Sequence, residues 1–209
     1  MKIRDIKLGQ FTTKEILSRD IIGATFRSET PRASVKFVKK ILGTKPLIAC
    51  EIGVCDGHNS VSILKNLNIN KLYLIDPYQS YDEEGIPSAY NLDLNKNIAE
   101  KRLKKFKDKI VWIRKESVKA PKDIPEKIDY VYIDGNHDYE HVKEDIETYF
   151  PKLSRGGVLA GHDIENGLTP NHDGVIKAVV EFATNNNLKL YFHAPDWWVV
   201  NESIEKKKR

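Results

Sequence analysis

The sequence predicts one α/β domain built on a mostly parallel, seven-stranded sheet with helices on both faces. Short β-branched runs alternate with amphipathic stretches along the chain, an order typical of βαβ units around a parallel sheet. The hydrophobicity of the predicted strands is continuous rather than alternating, as expected when helices cover both faces of a sheet. The chain has 209 residues, 40% of them hydrophobic, which is the size of one domain with a substantial core.

Each element follows from its local pattern. Five apolar runs, each followed by polar or glycine-bearing residues, predict parallel strands at Leu47–Ile52, Lys71–Ile75, Ile110–Ile113, Asp129–Ile133 and Gly157–Ala160. Helical periodicity predicts helices at Thr13–Ile22, Arg32–Leu42, about Asn59–Leu67, about Ala89–Phe106 and about Gly174–Asn185. A further helix from about Tyr139 carries an apolar stripe that should end near Arg155; its members are Val142, Ile146, Tyr149, Phe150 and Leu153.

The last two strands, Leu188–His193 and Trp197–Asn201, are separated by Ala-Pro-Asp, which predicts an antiparallel hairpin at the edge of the sheet. We expect Trp197 and Trp198 in this hairpin to serve packing or an oligomer interface. The predicted domain spans residues 1–203, with helices over 1–45 and the sheet-bearing core over 46–203. Residues 204–209 form a basic tail that we expect to be disordered.

Composition excludes several classes of protein. The chain carries 34 Lys and Arg against 30 Asp and Glu, and its last four residues, Lys206–Arg209, account for the whole net charge of +4. A near-neutral remainder argues against nucleic-acid binding. Only two cysteines are present, Cys50 and Cys55, which excludes a disulfide framework or a four-thiolate zinc site. No apolar run is long enough to span a membrane, and we expect a cytoplasmic protein.

The turn after the first strand has the features of a ligand-binding loop. Glycines at 53 and 57 flank Val54 and Cys55 between a strand and a helix. Without a Cβ, a ligand can approach the backbone, and a helix N-terminus offers free N–H donors. The spacing differs from the G-x-G-x-x-G of dinucleotide enzymes. Two glycines alone are a weak signal, since they also occur in ordinary turns.

An acidic residue ends the second strand. Asp76 follows Glu51 by 25 residues and precedes Pro77, and an acidic side chain at this position of an α/β fold can bind the hydroxyls of a ribose. The alternative is a turn-forming Asp before Pro. Asp76 ends the strand that follows the glycine-bearing turn, as a ribose-binding residue would. This agreement between the two features favours ribose recognition.

Two neighbouring strands end in carboxylates and histidines. Asp134 and His137 follow the fourth strand, and His162 and Asp163 follow the fifth. Ligands of open α/β sheets bind outside the carboxyl ends of the strands, so these groups should share a crevice with Gly53. Such a set could bind one divalent ion with mixed oxygen and nitrogen ligands. Taken singly, each has a structural alternative, for example a turn at Asp134 or a helix cap at His137.

The segments EIGVCDG and LIDPY resemble those of class I S-adenosylmethionine-dependent methyltransferases. The resemblance implies a Rossmann-like class I methyltransferase fold. It implies that the first loop holds the methionine part of the cofactor through Glu51, Gly53, Val54, Cys55 and Gly57. It further implies a ribose site at Asp76 and Pro77, an adenine site at Glu116 and Ser117, and a place beside the cofactor for Asp134.

The later segments resemble a narrower branch, the small-molecule O-methyltransferases that act on sugars or catechols. These combine IDG-x-H-x-Y, GGV…HD and G-V-x-x-A-V-x-E-F, and all three patterns are present between residues 133 and 182. The resemblance implies a divalent ion, magnesium or manganese, held by Asp134, His162 and Asp163, with His137 as the base. His162 departs from these relatives, which carry an acidic residue there.

The expected function is therefore O-methylation of a small hydroxylated acceptor, with a sugar or glycan ranked above a phenol. A hydroxyl is a poor nucleophile until its proton is removed, which is the role expected of His137. Asp134 would hold a metal that stabilises the negative charge on the acceptor oxygen. Two alternatives remain. One is an NAD-dependent oxidoreductase on the same fold, and the other is a non-catalytic module that binds nucleotide or nucleic acid.

Overall fold

The computed structural model describes residues 31–80, 91–164 and 173–202, together with the backbone of four two-residue strands at Lys7–Leu8, Phe11–Thr12, Asp82–Glu83 and Ile86–Pro87. The main sheet contains β1 (Leu47–Ile52), β2 (Ile69–Ile75), β3 (Ile110–Ile113), β4 (Ile128–Ile133), β5 (Leu153–Gly161), β6 (Tyr191–His193) and β7 (Asp196–Val200). The helices are α1 (Ala33–Leu42), α2 (His58–Asn66), α3 (Leu92–Leu103), α4 (Tyr139–Tyr149) and α5 (Gly174–Asn185). The predicted helix Thr13–Ile22 and the tail 204–209 lie outside the described residues.

The strands follow the order β3-β2-β1-β4-β5-β7-β6. The first five are parallel to one another, and β7 and β6 add to the β5 edge as an antiparallel hairpin. The predicted fold class is therefore confirmed. Because strand order reverses next to β1, the carboxyl ends of β1 and β4 open a crevice, which is where α/β sheets bind ligands.

Helices cover both faces, as the continuous apolar strands predict. One face packs α4 and α5 against the sheet through residues such as Ile146 and Val179. The other packs α1, α2 and α3 through residues such as Val38, Ile63 and Ala99. No helix among the residues described here has the length and apolar character needed to cross a membrane.

The predicted end of the helix that begins at Tyr139 was wrong. The apolar stripe predicted a helix that includes Leu153, but α4 ends at Tyr149, and Leu153 begins β5. A short 3-10 turn, Phe150–Lys152, connects the two. Pro151 has no N–H to donate and cannot continue an α-helix, so the chain leaves the helix there. Leu153 fits the helical stripe as well, because buried strands and buried helices are rich in the same types of apolar residue.

A buried carboxylate fixes α1 against the end of the sheet. Asp196 at the start of β7 is 1% exposed. Its Oδ2 accepts hydrogen bonds from the backbone N–H of Ser34 at 3.0 Å and from the Ser34 hydroxyl at 2.5 Å, and its Oδ1 accepts one from the Tyr132 hydroxyl at 3.0 Å. The side chain of Arg32, the residue before α1, makes no capping bond. A residue distant in sequence therefore caps this helix.

We predict that Asp196→Ala lowers the free energy of unfolding by about 3 kcal/mol, because it leaves several buried donors without an acceptor. Urea unfolding measures the change. Asp123→Ala, which removes an exposed ion pair with Lys115, is the control and should leave stability unchanged. An Asp196→Ala protein as stable as the wild type would show that the network contributes nothing.

Candidate functional site at the carboxyl ends of the strands

A cavity of about 860 Å³ opens at the carboxyl ends of β1, β2, β4 and β5. Its walls include every residue that the sequence proposed for the site except Gly57, namely Glu51, Gly53, Val54, Cys55, Asp76, Pro77, Glu116, Ser117, Asp134, His137, His162 and Asp163. Residues spread over more than a hundred positions of the chain thus converge because parallel strands end on the same edge.

The loop after β1 reaches the cavity through a close backbone contact. Gly53 has a φ of 79°, and a Cβ at this position would lie 1.9 Å from the carbonyl oxygen of Asp134. The backbone N–H of Asp134 in turn donates to Ile52 at 2.8 Å. Only glycine allows the loop after β1 and the end of β4 to lie this close together.

Gly57 does not line the cavity, although the resemblance implies a place for it at the cofactor. It precedes α2 in the left-handed region, with a φ of 76°, and is not among the residues that line the cavity. A Cβ there would lie 3.0 Å from Leu103 and 3.3 Å from Ala99, both on α3. In the structure this glycine allows α2 and α3 to pack closely.

Glu51 lies at the bottom of the cavity and is 1% exposed. Its Oε1 accepts a hydrogen bond from the Asn59 amide at 2.9 Å, and its Oε2 accepts one from the Ser60 hydroxyl. Burial raises the pKa of Glu51 to about 7, although the hydrogen bonds from Ser60 and Asn59 favour the charged form. The carboxylate is a buried acceptor whose charge state is close to balanced at neutral pH.

Asp76 lines the cavity and also holds its walls. Its Oδ2 accepts hydrogen bonds from the backbone N–H groups of Val54 at 2.9 Å and Cys55 at 3.0 Å, and its Oδ1 accepts from Tyr78 at 2.8 Å. The Tyr78 hydroxyl donates to the Cys55 carbonyl at 2.8 Å. The β1 loop and the end of β2 are therefore joined through a single carboxylate.

The predicted adenine pair, Glu116 and Ser117, lies on the cavity wall after β3. Glu116 is exposed and forms an ion pair with Lys119 at 2.8 Å. The Ser117 side chain hydrogen-bonds Asp145 on α4, and its carbonyl accepts from the Tyr149 hydroxyl at 2.6 Å. Of the two residues, Ser117 is the one tied to the interior.

The four groups predicted at the ends of β4 and β5 do meet. Asp163 Oδ2 lies 3.0 Å from His137 Nε2 and 2.8 Å from His162 Nδ1. Asp134 Oδ1 lies 3.9 Å from His137 Nε2 and 3.8 Å from His162 Nδ1. We call these four residues the strand-end cluster. One carboxylate oxygen of Asp163 serves both imidazoles.

Charge in the strand-end cluster is set by these contacts. Despite burial, the hydrogen bonds and charges of His137 and His162 lower the pKa of Asp163 well below its usual range. Burial alone would lower the pKa of His162, but the hydrogen bond to Asp163 and the charge of Asp134 raise it above its usual value. The cluster therefore keeps a charged carboxylate at Asp163 beside the His162 imidazole, whose protonated form it favours.

Sequence reasoning missed Arg32. Its Nε donates to Asn59 at 3.2 Å, and its guanidinium lies 3.7 Å from Asp134 Oδ2 and 3.8 Å from Asp196 Oδ1. It also lies over the Tyr132 ring, 5.6 Å from the centroid. Arg32 thus connects the Glu51 end of the cavity with the strand-end cluster. Nothing in its local sequence signals this position, because its partners come from three distant elements.

The two cysteines differ. Cys50 is buried in β1, as expected of a small core residue, but Cys55 is exposed and faces the cavity. It adopts a φ of 50° in the glycine loop and is not part of the core. Trp197 and Trp198 are both buried and contribute to packing.

Comparison with known proteins gives a family and a fold. The model of a family described as a methyltransferase domain matches residues 50–164. No curated protein matches the sequence.

Three solved structures resemble this one. A Streptococcus mutans protein in complex with S-adenosylhomocysteine is 18% identical, with a TM-score of 0.59, and the match covers 80% of this chain and 93% of that chain. An rRNA methylase from Streptococcus thermophilus is 17% identical, with a TM-score of 0.56 and coverage of 82% and 94%. The O-methyltransferase NovP is 14% identical, with a TM-score of 0.57 and coverage of 80% and 79%. At these identities the likeness concerns the fold.

We predict that Gly53→Ala lowers the free energy of unfolding by more than about 2 kcal/mol, because strain at a positive φ is joined by the clash with Asp134. Gly43→Ala is the matched control, since Gly43 has a φ of 62° and nothing within 4 Å of the added Cβ. Gly43 has a ψ of −133°, so its variant should cost about 1 to 3 kcal/mol of backbone strain. It should cost less than Gly53→Ala, because no clash is added. Equal costs for the two variants in urea unfolding would show that the contact with Asp134 is not tight.

Proposed function

This chain belongs to the methyltransferase-domain family and is a class I S-adenosylmethionine-dependent methyltransferase, and from this premise we propose that it methylates an oxygen atom of a small hydroxylated acceptor. The observation that carries the proposal is the strand-end cluster, which lies in the same cavity as the glycine loop after β1. A base and charged oxygens beside a methyl donor are what transfer to a hydroxyl requires.

The residues that line the cavity support an inference about where each part of the cofactor would lie. Glu51, Gly53, Val54 and Cys55 would contact its methionine part, and Asp76 with Pro77 would contact its ribose. Glu116 and Ser117 would contact its adenine. When bound, S-adenosylmethionine supplies an electrophilic methyl group on sulfur, and the protein supplies the alignment.

His137 is the base in this proposal. Its Nε2 lies 3.0 Å from Asp163, which orients the ring and lies where it would stabilise the positive charge that the ring gains with the acceptor's proton. The acceptor oxygen would have to lie about 3 Å from the methyl carbon and in line with the breaking bond. Asp134, in the same cluster, would position the acceptor hydroxyl.

The strand-end cluster also fits a divalent cation. One donor atom from each of Asp134, His162 and Asp163 lies within 4.8 Å of the other two. A cation held there would stabilise the negative charge that develops on the acceptor oxygen. The nitrogen donor of His162 suits manganese better than magnesium, which prefers oxygen ligands.

The acceptor class follows from the base and the charges. A sugar hydroxyl is far less acidic than a phenol and depends more on a general base, so His137 favours a sugar or glycan acceptor. The half-buried carboxylate and imidazole groups of the strand-end cluster also suit a polyol, which offers many donors and acceptors.

We predict that His137→Ala and Asp134→Ala each lower the rate of methyl transfer by about a hundredfold or more. Without His137 the acceptor keeps its proton, and without Asp134 its hydroxyl is no longer positioned. Production of S-adenosylhomocysteine in a screen of sugars and catechols gives the rate. Calorimetric titration with S-adenosylhomocysteine should give dissociation constants within about threefold of the wild type.

His141→Ala is the control for these variants, since His141 lies at the rim of the cavity and is exposed. It should leave transfer unchanged. If His137→Ala and Asp134→Ala turned over normally, the active site would be elsewhere. If the wild type bound NAD and not S-adenosylhomocysteine, the cofactor assignment would be wrong.

We also predict that the protein binds Mn²⁺ and that His162→Ala weakens this binding at least tenfold, because one of three donors is lost. Electron paramagnetic resonance of free Mn²⁺ measures it without an acceptor. His58→Ala, which alters another histidine of the cavity wall, should bind Mn²⁺ as the wild type does. Equal affinities of all three proteins would exclude a cation at the cluster.

A further inference from the structure

Asp145 is a buried acid in the cavity wall to which the sequence assigned no role. It lies on α4 and is 4% exposed. Its Oδ1 has no hydrogen-bond partner among the described residues, although the residue lines the cavity. Buried polar atoms almost always have a partner, so this oxygen requires an explanation.

The position of Asp145 on the apolar face of α4 is a second reason to expect that its carboxylate has a role. The buried face of α4 consists otherwise of Val142, Ile146 and Tyr149, and an apolar side chain in place of Asp145 would fit that face at no desolvation cost. Burying a carboxylate here costs free energy unless a hydrogen-bond donor or a positive charge pairs with it. The single hydrogen bond from Ser117 occupies only part of its capacity.

The surroundings of Asp145 indicate what could bind there. The Ser117 side chain hydrogen-bonds Asp145, and Ser117, Val118 and Gly135 line the same cavity. A Cβ added to Gly135 would lie 3.9 Å from Asp145 Oδ2. A flat ring with a hydrogen-bond donor on its edge suits such a place, because Gly135 has no side chain to fill the space and Oδ1 of Asp145 has no hydrogen-bond partner among the described residues.

Burial raises the pKa of Asp145 to about 6, with the hydrogen bond from Ser117 acting in the opposite direction. The group is therefore mostly a carboxylate at neutral pH, and a carboxylate can only accept hydrogen bonds. The matching group on an adenine ring is its exocyclic amine, which donates.

We propose that Asp145 accepts a hydrogen bond from the 6-amino group of the cofactor's adenine, so that this residue selects a 6-aminopurine. The inference rests on the proposed function in one respect, namely that S-adenosylmethionine occupies this cavity. It adds a specificity-determining residue from α4 to the loop residues Glu116 and Ser117.

The test compares two ligands on two proteins. The ligands are S-adenosylhomocysteine and its analogue whose purine carries hydrogen in place of the 6-amino group, and calorimetry gives their dissociation constants. The wild type should bind the amino compound about tenfold to a hundredfold more tightly, as expected for a buried hydrogen bond to a charged group. Asp145→Ala should bind both ligands equally, with the affinity that the wild type has for the analogue.

Two further variants guard the interpretation. Asp145→Asn keeps the size of the side chain and one acceptor oxygen without the charge, and its preference for the amino compound should fall to a few fold. Glu144→Ala alters the neighbouring carboxylate, which lines the same cavity but is exposed. It should keep the full preference of the wild type. Circular dichroism confirms that each variant is folded.

The outcomes separate this inference from the function on which it rests. If the wild type bound both ligands equally, or if Asp145→Ala lost the same factor for both, Asp145 would have a structural role only and the inference would be wrong. The cofactor assignment would then still stand. If the wild type failed to bind S-adenosylhomocysteine at all, the cofactor assignment would fall, and the inference with it.

Discussion

The close contact between Gly53 and the backbone of Asp134 is the constraint on which the site depends. A Cβ at Gly53 would lie 1.9 Å from the Asp134 carbonyl oxygen, so the loop after β1 reaches the end of β4 only because that Cβ is missing. The same contact places the residues proposed to bind the cofactor beside those proposed to act on the acceptor. Methyl transfer needs both sets of residues close together and in fixed orientation. The backbone contact brings them together, and the Asp76 carboxylate holds the same loop at the end of β2.

Around this contact the protein buries an unusual set of charged groups. Glu51, Asp145 and Asp196 are buried and Arg32 is half-buried, so each carries a cost of desolvation. Arg32, Glu51 and Asp145 line the cavity, and Asp196 lies 3.8 Å from the Arg32 guanidinium. Asp196 is satisfied within the fold, where it caps α1 and holds Arg32 in place. Glu51 is satisfied by Asn59 and Ser60. Hydrogen bonds within the fold hold these charged side chains in place before a ligand binds. A site organised in this way lowers the cost of orienting charge during a reaction.

Periodicity and strand-end chemistry predicted most of the fold and much of the candidate site. The strand Leu47–Ile52 and the helix Gly174–Asn185 were predicted with the bounds that the structure has, because their apolar patterns are long and end in clear signals. The end of α4 was wrong, since Leu153 extends a helical stripe and a buried strand equally well. The close packing of Gly57 against Ala99 and Leu103 could not be predicted, because a left-handed glycine that allows helix packing has the same sequence signature as one that admits a ligand.

The sequence by itself determined the order of strands and helices along the chain and the α/β class. It also determined the polar residues that end β1, β2, β4 and β5. These features are local, because each depends on the spacing of residues within one element. Tertiary structure decided that one oxygen of Asp163 serves both His137 and His162. It also decided that Arg32 enters the cavity and that Asp145 faces it from α4. These contacts join residues far apart in the chain, and their geometry arises only when the sheet and the helices pack together.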